Sequence, residues 1–276
     1  MIEPNKAVPD SSPDEALDAY RPARIAERIE AAGVAKANLG LLETLTLSIL
    51  AGAFIAFGAM FYTVVVTDTG LGFGPTRLLG GLAFSLGLIL VVVAGAELFT
   101  GNNLIVMAWA DGQIGLGALL RNWGIVYGGN FLGAAASAIL IHWSGTLAMQ
   151  NGAVGETALA IAGAKVSLTI EEAFVRGILC NALVCLAIWL SYAARRVSGK
   201  ILAIVFPITA FVALGFEHSV ANMYFIPVAI MQSGGVTVGD LLYNLVPVTL
   251  GNIVGGAGFV GLVYWIVYCR SDGTEE

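Results

Sequence analysis

Three ionisable residues, Glu97, Glu217 and His218, stand inside long apolar runs of this chain, where a charge is expensive and its presence marks a working site. The first lies in Gly95-Ala96-Glu97-Leu98-Phe99-Thr100-Gly101-Asn102, the other two in Gly215-Phe216-Glu217-His218-Ser219-Val220-Ala221-Asn222. Both segments read G-x-E-x-x-x-small-N. An imidazole, with an unperturbed pKa of about 6.5, is the natural group to share a proton with a weak-acid anion. The two glutamates are placed either to hold their loops by accepting backbone N–H bonds or to meet a solute directly. Around them Leu98, Phe99, Val184 and Phe211 offer apolar surface only. An anion drawn to such a place loses its hydration at a cost of several kcal/mol or more. The chemistry expected is therefore that a small weak-acid anion is attracted, protonated at or before His218, and passed through the apolar constriction as a neutral species.

Residues of this kind need membrane-embedded elements to hold them. The hydrocarbon core is about 30 Å thick, so roughly 20 apolar residues span it as a helix. Six spans are predicted, over residues 42–67, 77–110, 122–148, 171–194, 201–231 and 241–269. The second and fifth are too long, about 51 and 46 Å as straight helices, and each carries its glutamate at the middle. Each is read as two half-helices joined at mid-membrane, which is tolerated where the irregular backbone lines a cavity. Thr100 or Asn102 is expected to cap the first returning half-helix, and Ser219 or Asn222 the second.

The signatures recur further along. Asn122 to Gly133 reads N-x6-GN-x2-G, and so does Asn244 to Gly255. Spans one to three and four to six, about 41–148 and 171–270, are thus repeats, and three spans per unit invert the second relative to the first. Inverted repeats with breaks at matching places predict a transport site near the midplane. Two positive half-helix ends meeting there favour an anion or an electron-rich oxygen.

Composition agrees. Of 276 residues, 58% are hydrophobic and 12% charged, against about 25% charged in a soluble domain. The net charge of −6 sits mostly in the tails, and no basic stripe with interleaved aromatics supports nucleic-acid binding. Lys6, Arg21, Arg24, Arg28, Lys36, Arg121, Arg195, Arg196, Lys200 and Arg270 fall on one side of the six spans, and Arg77, Lys165 and Arg176 on the other. The positive-inside rule then places both termini in the cytoplasm, with Trp109, Trp123, Trp143 and Trp265 as an aromatic belt. Segment 1–40 is a cytoplasmic lead whose residues 14–36 form an amphipathic helix with Ile25, Ile29, Ala32 and Val34 on its apolar side, lying on the membrane or against the bundle. Residues 271–276 are a cytoplasmic tail. Cys180, Cys185 and Cys269 have neither disulfide nor zinc spacing. No cofactor is expected, because a haem subunit wants paired histidines and the chain has His142, read as interfacial, and His218.

At these motifs the sequence resembles the formate/nitrite transporter family. The matching stretches are Glu97–Asn102, Asn122-Trp123 with Gly129-Asn130, Cys180-Asn181-Ala182-Leu183-Val184-Cys185, Phe216–Met223 and Asn244–Gly256. The resemblance implies an aquaporin-like homopentamer in a prokaryotic inner membrane, with a conduction path in each protomer and no enzymatic activity. It maps the family's central histidine, its threonine partner and the membrane asparagine onto His218, Thr100 and Asn181, and the vestibule lysine onto Lys165. It maps the slits onto Leu98, Phe99, Val184 and Phe211, with Leu88 and Phe84 beside them. Formate is the first expectation for the substrate, with protons as partner. Nitrite or hydrosulfide is the alternative within the family, and a glycerol- or water-type facilitator the alternative outside it.

Overall fold

The computed structural model describes residues 19–233 and 235–270. Twelve α-helical segments make up the described chain: α1 (Pro22–Ala37), α2 (Leu41–Val66), α3 (Phe73–Leu90), α4 (Phe99–Asn102), α5 (Val106–Ala110), α6 (Leu116–Trp143), α7 (Ala153–Val166), α8 (Ile170–Ala193), α9 (Val197–Leu214), α10 (Ser219–Met231), α11 (Val238–Ile253) and α12 (Val263–Tyr268). A π-helical turn, Val91–Gly95, extends α3, and a longer one, Val254–Leu262, joins α11 to α12 into one span. Six of these units are long and apolar enough to cross a membrane.

Both expected breaks are present. Gly95 and Gly215 end the outgoing half-helices with φ of +85° and +75°, a region that only glycine enters without strain. The chain then runs extended for a few residues and re-enters helix at Phe99 and at Ser219. Each returning half-helix packs on the third span of the other repeat: α10 lies on α6, and the 3-10 turn Asn103–Ile105 on the π turn of α11–α12. Within each repeat the first and third spans cross closely, α2 on α6 and α8 on α11. A methyl group on Gly133 would stand 1.9 Å from the Ile49 carbonyl oxygen, and one on Gly255, its repeat mate, 2.1 Å from that of Ile178. The small residues are what let the backbones meet.

Each repeat contains a short helix besides its three spans. α7, in the stretch between the predicted third and fourth spans, is the counterpart of α1. The helix α1 begins at Pro22 and packs against the bundle, burying Ile25, Ala26 and Ile29 with Leu104, Ile105, Met107 and Trp189; Ala32 and Val34 are half-buried. The part of its expected extent before residue 19 lies outside the described residues. α1 rests on the returning half-helix of the first repeat as α7 rests on α10. Trp123 departs from the expected belt, since its indole donates to the Asn102 carbonyl at 2.9 Å and its ring meets Phe99 edge-on.

Candidate functional site

Capping of the two breaks differs from expectation. The side chains of Thr100, Asn102, Ser219 and Asn222 do not cap the half-helices. Asn130 and Asn252, on the third spans, do so from a distance. Asn130 Oδ1 accepts the Phe99 N–H at 2.8 Å, while its Nδ2 donates to the Ser48 and Glu97 carbonyls at 2.7 and 2.9 Å. Asn252 does the same with Ser219 N–H (2.9 Å) and the carbonyls of Gly177 and Glu217 (2.8 and 3.0 Å). In each case one amide satisfies an N–H and a carbonyl that the break leaves orphaned and ties them to a carbonyl of the repeat's first span, Ser48 on α2 or Gly177 on α8.

This frees the glutamate carboxylates for side chains rather than backbone. Lys36, in the last turn of α1, places Nζ 2.7 Å from Glu97 Oε1 and 2.9 Å from Asn102 Oδ1. Asn102 Nδ2 donates to Glu97 Oε2 (2.6 Å) and to Asn122 Oδ1 (3.0 Å), and Asn122 Nδ2 returns to the Lys36 carbonyl at 3.2 Å. The second repeat duplicates the circuit. Lys165, in the last turn of α7, lies 3.0 Å from Glu217 Oε1; Asn222 Nδ2 donates to Glu217 Oε2 and Asn244 Oδ1, both at 2.7 Å; Asn244 Nδ2 donates to the Lys165 carbonyl at 3.0 Å. The copies differ at one atom: Asn222 Oδ1 has no partner among the described residues, whereas Asn102 Oδ1 takes Lys36.

Lys36 is the member of the candidate site that the sequence shows only as a topological charge. Its signal was present: Lys36, Leu39, Leu41 and Glu43 recur as Lys165, Leu168, Ile170 and Glu172 at identical spacing. The hydropathy contrast of an amphipathic segment hid the match.

A cavity opens beside each circuit. One, of about 330 Å³, is lined by Lys36, Glu97, Leu98, Asn102 and Tyr192 among others. The other, of about 410 Å³, is lined by Lys165, Glu217, His218, Phe84, Phe211 and Phe225, with Arg77 and Arg176 at its wall. Leu88, Leu98, Phe99, Val184 and Phe211 belong to one packed apolar cluster, with Leu98 on the wall of the first cavity and Phe211 on that of the second. Phe211 stacks on the His218 ring at 5.9 Å between centroids and meets Phe84 edge-on. Phe99 turns instead toward Tyr127 and Trp123. Phe99, Leu88 and Val184 line neither cavity.

At the centre, Thr100 Oγ1 and His218 Nε2 are 2.9 Å apart, both fully or almost fully buried. His218 is also the N-cap of α10, its Nδ1 accepting the Ala221 N–H at 3.1 Å. An accepting Nδ1 leaves the ring proton on Nε2, which donates to Thr100 Oγ1 and so leaves the threonine hydroxyl hydrogen available to a third group. Asn181 is not exposed to either cavity. Its Nδ2 stands 2.7 Å from the Asn252 carbonyl, 2.9 Å from Asn103 Oδ1 and 3.2 Å from the Thr100 carbonyl, tying the two breaks together beneath the Thr100–His218 pair.

The chain that builds this arrangement is similar to known proteins over most of its length. The family model described as Formate/nitrite transporter matches residues 23–266. The formate channel FocA of Escherichia coli (strain K12) is 43% identical over 279 residues, covering 94% of this chain and 98% of that one. Among solved structures, a pentameric formate channel with formate bound has a TM-score of 0.78 at 40% identity, covering 83% of this chain and 98% of that chain. An FNT family ion channel has a TM-score of 0.81 at 31% identity, covering 88% and 98%. The chain belongs to the formate/nitrite transporter family.

Proposed function

We propose that this protein passes formate, together with a proton, across the cytoplasmic membrane of a prokaryote, each protomer of a homopentamer carrying its own path. The observation that carries the reading is the sequence of environments along the centre. A lysine-bearing cavity leads to an apolar block with a single buried Thr100–His218 pair, and the block leads to a second lysine-bearing cavity. Lys36 and Lys165 raise the local concentration of a small anion in the two cavities. The apolar block opposes its passage as a charge. The Thr100 hydroxyl, polarised by His218, offers a hydrogen bond to the anion where its hydration is lost, and the anion crosses protonated. The glutamates, each bonded to a lysine and an asparagine, set the position and the charge of the lysines. The lysine and arginine bias supports the Lys36 cavity as the cytoplasmic mouth, and formate follows the names of the similar channels.

The test is a light-scattering assay on proteoliposomes under inward gradients of formate, nitrite or glycerol between pH 5 and 8. Formate entry that accelerates as pH falls, with glycerol excluded, is the expected outcome. Nitrite faster than formate would reassign the substrate within the family, and glycerol entry indifferent to pH would overturn the proton-sharing role. A His218→Phe variant that kept full formate flux and its pH dependence would remove the histidine from the mechanism.

A further inference from the structure

The two cavities are not electrostatic equals. Beside the Lys36 mouth the charged lining residues are Lys36 and Glu97, which pair with each other. Beside the Lys165 mouth they are Lys165, Arg77, Arg176 and Glu217. Three cations against one carboxylate leave this wall two charges more positive than its counterpart, where one stands against one. The repeat itself supplies the control. The carbonyl of Arg176 accepts the Glu217 N–H at 3.2 Å just as that of Leu47 accepts the Glu97 N–H at 3.2 Å, so the position holding a guanidinium at one mouth holds an isobutyl group at the other. Leu47 lines the Lys36 cavity.

Both guanidinium groups converge on Gly215, where the outgoing half-helix α9 ends. Arg77 donates from Nε to the Ala213 carbonyl and from Nη2 to that of Val212, each at 2.9 Å. Arg176 Nη1 approaches the Gly215 carbonyl at 3.5 Å, and its Nη2 is 4.0 Å from Glu172. A helix C-terminus accounts for one cation there; two, held on the wall of a cavity, exceed that need. Arg77 spends one edge of its fork on the carbonyls, and Nη1 has no hydrogen-bond partner among the described residues. The Arg176–Glu172 contact is long and half-exposed, so it leaves the arginine's charge largely uncompensated.

We propose that Arg77 and Arg176 form with Lys165 an anion-holding collar at one mouth only, which gives the protein a higher affinity for a small monocarboxylate from that side than from the Lys36 side. This inference rests on the transport reading given above. A guanidinium fork matches a carboxylate in two hydrogen bonds, so an ion resting at the collar is oriented before it reaches Lys165 and His218. Passive flux at equal saturating concentrations is unaffected in direction. What changes is the concentration at which each side saturates.

The experiment measures initial rates of isotopic formate entry into right-side-out and inverted membrane vesicles of the same cells, from far below to far above half-saturation. Wild type is expected to half-saturate at lower formate in one orientation. Arg176→Leu, which copies Leu47, is expected to raise that value by about threefold to tenfold in that orientation alone, out of proportion to any change in maximal rate, with Arg176→Lys recovering most of it. Arg77→Gln, checked for assembly because it also frees two carbonyls, should shift the same side. Assembled variants that leave both half-saturation values unchanged, or move both equally, would overturn the collar while the transport reading stands. Wild-type vesicles passing no formate in either orientation would overturn that reading first, and the collar with it.

Discussion

On the proposed path the Thr100 hydroxyl sits where hydrogen-bonding capacity matters most, since among the described residues its side-chain hydrogen bond is to His218 Nε2, beside the apolar cluster. Valine has nearly the same shape and lacks the hydroxyl, so Thr100→Val leaves the His218 N–H buried without an acceptor, a penalty of about 1–3 kcal/mol. If the same bond serves the anion at its dehydrated point, flux in that variant falls by about tenfold to a hundredfold, while Thr100→Ser retains most of it. Isotopic formate uptake by assembled protein in proteoliposomes checks this, and equal rates in wild type and Thr100→Val would exclude the hydroxyl. Asn130 differs in kind, since its bonds are all to backbone and it lies away from both cavities. Asn130→Leu abandons one N–H and one carbonyl at the first break, and its tie to the Ser48 carbonyl on α2. The expected result is a loss of about 3 kcal/mol or more, read as a lowered thermal midpoint in detergent, with Asn252→Leu equally damaging at the second break.

At the scale of elements, the close crossing of first and third spans sets how far apart the two breaks stand. Gly133→Ala drives a methyl group into the Ile49 carbonyl, and with backbone on the other side neither helix has a flexible atom to yield. Overpacking of this kind costs about 1–3 kcal/mol, and a drop in thermal midpoint larger than that of an alanine at Gly124, whose added methyl meets nothing within 4 Å, is the expected measurement. The spans and their breaks were legible in the sequence because hydropathy and length are local properties: a glutamate at the middle of a run far longer than the bilayer has few other meanings. The caps were not legible, because Asn130 and Asn252 reach back across more than thirty residues, to a backbone whose position only the packed helices define. The glutamates' partners were half-hidden for a related reason. Lys165 came from the family resemblance and Lys36 from neither reading, since α7 is too short and α1 both too short and too polar to register as repeat members beside the spans.

Taken as a whole, the proposed path sets an apolar block between two lysine-bearing cavities, and that proposal makes a quantitative demand on what crosses. A monovalent ion moving through the full membrane field exchanges about 2.3 kcal/mol per 100 mV, which is close to a fiftyfold bias in its equilibrium distribution at 100 mV. A protonated acid exchanges none, and its distribution follows the pH difference instead. On the proposed path the half-buried lysines, each bonded to a glutamate, hold an anion only at the edges of the apolar block, so the step past Leu98 and Phe211 is the one that proposal requires to be neutral. Proteoliposomes clamped by a potassium gradient and an ionophore separate the cases. With equal pH on both sides, formate is expected to equilibrate near unity whatever the imposed potential, and a pH difference of one unit is expected to concentrate it about tenfold on the alkaline side, with acidification of a dye-loaded lumen accompanying entry. Accumulation that instead tracks the potential would mean that the anion passes bare, and the Thr100–His218 pair would then serve to hydrate a charge rather than to share a proton.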